Sequence, residues 1–92
     1  PHLGNLEMLN LNHNDIGDEG ATAIANSDKL PKLKSLSMFG NVIGDEGAKA
    51  FAESHQSKKY VKLDLYKNQI SAAGNKTITE SEMLKNCEEL EI

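Results

Sequence analysis

Apolar residues recur along this 92-residue chain in two alternating patterns. In "LEMLNLNHN", Leu6 to Asn14, apolar residues stand at i, i+3 and i+5, and the last two alternate with polar neighbours as in a half-buried strand. The next stretch, "GDEGATAIANSDKL", Gly17 to Leu30, is rich in alanine with apolar residues at helical spacing, and it predicts a helix. Both patterns return every 27 residues without a gap. Leu6, Leu33, Tyr60 and Cys87 fall in one column, and Leu9, Leu36, Leu63 and Leu90 in the next. Leu11, Met38, Leu65 and Ile92 follow, then Asn14, Asn41 and Asn68, then Ile16, Ile43 and Ile70. Gly20, Gly47 and Gly74 keep step, as do Ile24, Phe51 and Ile78, and Ser27, Ser54 and Ser81. A strand and a helix in every block predict a parallel sheet with helices on its other side.

The asparagine column has a structural use. After each strand the chain must turn, leaving interior N–H and C=O groups without ladder partners, and an amide side chain can satisfy both kinds. Stacked at the repeat period, the three amides would form a ladder. The repeated "IGDEGA" of Ile16–Ala21 and Ile43–Ala48 raises two other readings. A phosphate loop needs Lys and Ser/Thr after its second glycine, which are absent, and Asp18, Glu19, Asp45 and Glu46 would repel phosphate. A calcium loop starting at Asn12 has Gly17 at its sixth position, but Ile16 occupies a liganding position and no acid stands at the twelfth. As scaffold the motif is coherent. The isoleucines plug the core, Gly17 and Gly44 open the turn, and the acids sit in the first helical turn, where the dipole favours them. Ser71 is the expected N-cap of the third helix. Gly20, Gly47 and Gly74 are expected to be small so that the helix can lie close to the sheet.

The pattern Leu-x-x-Leu-x-Leu-x-x-Asn resembles the leucine-rich repeat, and the "Ile-Gly-Asp-Glu-Gly-Ala" continuation resembles its ribonuclease-inhibitor-like subfamily. That subfamily also includes Ran GTPase activators and the sensor arms of immune receptors. The resemblance implies a right-handed α/β horseshoe segment, a solenoid with parallel strands on the concave face and helices on the convex face. It covers three repeats, about 6–32, 33–59 and 60–86, and the start of a fourth at 87–92. The third repeat departs from the pattern, with Ser71-Ala72-Ala73-Gly74 in place of Gly-Asp-Glu-Gly, and a looser third helix is expected.

Composition narrows the function. A net charge of -4 argues against nucleic acid, and all ten basic residues are lysine, so no side chain can supply bidentate phosphate recognition or an arginine finger. No run of apolar residues approaches the ~20 that a membrane helix needs. A single Cys87 excludes an internal disulfide and fits a reducing, cytoplasmic compartment. Cys87 is expected to be a buried filler. His2, His13 and His55 lie in unrelated columns, so neither a metal nor a catalytic cluster is expected, and no cofactor is implied. Asn75-Lys76-Thr77 matches a glycosylation sequon but lies on a predicted helix, where a chance match is the better reading.

Strand alternation turns Leu9, Leu11 and their equivalents inward, so their neighbours face the concave side. The candidate partner-binding residues are Asn10, Asn12, Ser37, Phe39, Lys62, Asp64 and Tyr66. Among them Phe39 and Tyr66 set two aromatics side by side where the repeat itself needs none. The expected function is non-enzymatic protein–protein interaction on this face. The alternative implied by the resemblance is part of a GTPase-activating or other regulatory repeat protein. Neither end carries a polar cap, which predicts either a longer solenoid or end-to-end self-association.

Overall fold

The computed structural model describes residues 2–92. Four three-residue strands, β1 (Met8–Asn10), β2 (Ser35–Ser37), β3 (Lys62–Asp64) and β4 (Glu89–Glu91), form one sheet in sequence order. All pairs are parallel, and the register aligns Leu9 with Leu36, Leu36 with Leu63 and Leu63 with Leu90. Three helices, α1 (Asp18–Ala25), α2 (Asp45–Glu53) and α3 (Ala72–Thr79), stack along the other side. Short 3₁₀ helices at His2–Asn5 and His55–Lys59 complete the fold. The periodic columns therefore become physical stacks, and the chain is an α/β solenoid segment with strands lining the concave face. None of the helices is long and apolar enough to cross a membrane.

The helices end just before the serine column. The pattern reaches Leu30, yet α1 stops at Ala25. Just beyond its end the Ser27 hydroxyl accepts from Lys29 N at 3.1 Å, a local bond of the kind that competes with helix continuation. Ser54 does the same after α2, accepting from Gln56 N at 3.1 Å. The third helix is as long as the first, and Ser71 caps it by accepting from Gly74 N at 3.4 Å.

The core runs between the sheet and the helices. Leu33, Leu36, Met38, Ile43, Phe51 and Leu63 are wholly buried, while Leu6, Leu9 and Ile16 of the first repeat are half-buried. The second repeat is the most enclosed because it has a neighbour on both sides. Glycine at 47 reflects packing against more than the sheet. A Cβ there would stand 2.6 Å from Ile43 Cγ2 and 3.0 Å from both Ala21 Cβ and Asp18 Oδ1, so the contacts come from the preceding loop and helix. Gly17 and Gly44 have extended backbones (φ -104° and -106°), which any residue can adopt, so the turn itself does not require them.

Tyr60 takes a leucine position and buries a phenol whose oxygen has no hydrogen-bond partner. Desolvation pushes its pKa up to about 12. Because the folded pKa lies above the unfolded value of ~10, the contribution is fully present below pH ~10 and is lost as pH rises toward 12. Two units correspond to roughly 2–3 kcal/mol. Tyr60→Phe removes an unpaired hydroxyl, so it should match or exceed the parent melting temperature at neutral pH. It should also flatten the fall in stability between pH 10 and 12. A clear loss of stability at pH 7 would show that the hydroxyl has a partner.

Candidate interaction face

Two ladders of side chains fix the geometry of the face. Asn41 Nδ2 donates to Leu11 O at 3.0 Å and Met38 O at 2.9 Å, while its Oδ1 accepts from Asn14 N and Ile16 N, both at 2.9 Å. Asn68 repeats the arrangement one coil on, donating to Met38 O and Leu65 O and accepting from Ile43 N. Asn14 is exposed, and its side chain donates only to Asn12 O. The predicted amide ladder exists, and each of its two inner rungs spans two repeats.

The second ladder was not visible in the sequence. Asp18 does lie in the first turn of α1, but its Oδ1 accepts from Gly44 N at 2.7 Å and Gly47 N at 2.9 Å, at the start of the next helix. Asp45 reaches likewise to Ser71, accepting from its N at 2.8 Å and its Oγ at 2.6 Å. These bonds hold the Asp45 carboxyl below its usual range. At the opposite ends of the helices, Ser54 Oγ donates to Ala25 O at 2.6 Å and Ser81 Oγ donates to Ala52 O. The regular serine column was the available signal for this tie.

On the concave face the predicted residues come together, with altered roles. Phe39 and Tyr66 lie with ring centroids 6.1 Å apart, tilted by 39°. Tyr66 is 48% exposed, whereas Phe39 is half-buried. A third ring, missed in the sequence, extends the row: His13 meets Phe39 edge-on at 5.2 Å. Its imidazole fills the space over Gly40, where a Cβ would stand 2.6 Å from Nδ1. His13, Gly40 and Lys67 share a column and all adopt left-handed φ (59°, 73° and 59°). That shared conformation turns the chain after each strand. Lys67 Nζ lies 5.4 Å from the Tyr66 ring centroid.

The polar members are partly committed to the fold. Asn12 Oδ1 accepts from Phe39 N at 2.8 Å and from Ser37 Oγ at 2.7 Å, so it holds the end of β2 in place. Asn10 and Asp64 each accept from the backbone N two residues on, at 2.9 and 3.0 Å. Lys62 and Asp64 line a depression of about 370 Å³ together with Met8, Asn10, Ser35 and Ser37. Met8 is 73% exposed, the most exposed large apolar side chain among the described residues.

Cys87 is half-buried at the edge of the fourth repeat, not fully buried as its column predicts. Burial pushes its thiol up, the reverse of the shift that activates a nucleophile. His13 is engaged with Phe39 and Gly40. Among the described residues no group of three or more His, Cys, Asp or Glu side chains could hold a metal ion.

A parallel ribbon backed by helices, with inward leucines and an amide ladder, defines an α/β solenoid of stacked repeats. The family model described as Leucine Rich repeat matches residues 2–25 and 29–52, two segments one repeat apart. The chain belongs to the leucine-rich repeat family. Repeats of this family generally mediate protein–protein interaction and are typically non-enzymatic. A comparison with curated proteins returns no match.

Proposed function

We propose that this chain is a non-enzymatic protein-binding module that takes its partner on the concave strand face. The observation that carries the reading is the Phe39–Tyr66 pair, two rings 6.1 Å apart on neighbouring repeats, beside the depression bordered by Lys62 and Asp64. Aromatic side chains fixed on a rigid surface are the usual anchors of an interface. Here the rigidity comes from the backbone: Asn12 pins Phe39 N, and Asp64 pins Tyr66 N. The "IGDEGA" motif supports placement in the ribonuclease-inhibitor-like subfamily, and the lone cysteine supports a reducing, cytoplasmic setting.

A photo-crosslinking amino acid at Ser37 tests the face, with one at Lys49 on the convex side as the control. The Ser37 probe should capture a discrete partner from cell extract, and the Lys49 probe should not. Phe39→Ala with Tyr66→Ala should weaken capture by a few kcal/mol in affinity while changing the melting temperature little. Capture that survives this double change, or that occurs only from Lys49, places the interface elsewhere.

A further inference from the structure

Resting on the concave-face reading, we infer that the bound partner segment is cationic. It presents an arginine side chain to Tyr66, Asp64 and Glu91. The register supplies the first reason. Lys62 stands beside Glu89 on adjacent strands, an opposite-charge pair, but Asp64 stands beside Glu91. Like charges directly opposite in a sheet destabilise it, and a cation from outside relieves the repulsion. Neither carboxylate has an ion-pair partner within the chain: among the described residues the one ion pair within 4.0 Å is Lys85–Glu82, remote from this face.

Tyr66 supplies the second reason. It lies two residues beyond Asp64 on the same coil, and its ring already carries a cation, with Lys67 Nζ at 5.4 Å from the centroid. An exposed ring two residues beyond Asp64, with Glu91 aligned to Asp64 on the next strand, offers a guanidinium both a flat face and carboxylate acceptors. The plane stacks on the aromatic face, while the N–H fork bonds to carboxylate oxygens. An ammonium can meet the same charges, but it lacks the flat face and the fork, so arginine is the better fit. The depression beside Asp64, which Asn10, Ser35, Ser37 and Lys62 also line, has room for the small polar residues that flank the arginine.

Three acetylated, amidated hexapeptides test this on the ¹⁵N-labelled chain by NMR titration at low salt. The first is Gly-Ser-Arg-Ser-Arg-Gly, and the other two carry Gln or Glu in place of Arg. The arginine peptide should move the amide signals of Asp64, Tyr66 and Glu91 and bind at least tenfold more tightly than the glutamine peptide. Asp64→Asn combined with Glu91→Gln should abolish that preference. The backbone bond at 64 should survive the change, because Asn10 makes the same bond in the first repeat. If the glutamine or glutamate peptide binds the concave face as well as the arginine peptide, the cationic inference is overturned while the face stands. If no peptide shifts the concave residues, or shifts cluster on the helices, both readings are overturned.

Discussion

Asn41→Ala is expected to destabilise the chain by about 3–5 kcal/mol, measured by urea unfolding at neutral pH. The change strands two N–H groups, of Asn14 and Ile16, and the carbonyl of Leu11, while Met38 O keeps its bond from Asn68. Each buried group left without a partner costs ~1–3 kcal/mol, and the outer ones regain part of that from water. Against the ~5–15 kcal/mol of a whole domain, such a loss brings the chain close to unfolding. The same substitution should cost less at Asn68, which serves Ile43 N, Met38 O and Leu65 O from a half-buried position. At Asn14, whose side chain donates only to Asn12 O, it should fall within ~0.5 kcal/mol. Three equal losses would mean that the asparagines act through local turn propensity and that the inter-repeat bonds matter little.

Phe51→Ala should be comparably severe, at about 3–5 kcal/mol. Phe51 is wholly buried on α2, with its ring 6.3 Å from that of Tyr60, and the repeats on either side prevent the site from collapsing. Its column mates provide an internal comparison. Ile78 is 1% exposed and Ile24 only half-buried, so alanine at 78 should cost more than alanine at 24. Thermal melts of the three variants give the order directly. A small effect at Phe51 would show that the middle repeat is loosely packed.

The two ladders differ in how far they could be foreseen. Asn41 and Asn68 behave as their column predicts because a side chain that completes backbone bonds after a strand is set by local chain geometry. Asp18 and Asp45 stand in equally regular columns, yet their acceptor role toward the next helix depends on how closely successive coils approach. The same holds for Ser54 and Ser81, whose hydroxyls reach the last carbonyls of the preceding helix region. On the candidate face, Phe39 and Tyr66 were legible as large residues in an outward strand column. His13 was not, since its place against Phe39 exists only because Gly40 leaves room one repeat away.

By itself the sequence determined the repeat length, the parallel strand order, the inward leucines and which strand positions face the concave side. A period of 27 residues carries this information because identical side chains stack only when successive coils are in register. Tertiary structure decided which carboxylates join neighbouring coils and which polar residues of the concave face remain free. Those outcomes turn on distances of about 3 Å between residues of different coils, which a one-dimensional pattern does not contain.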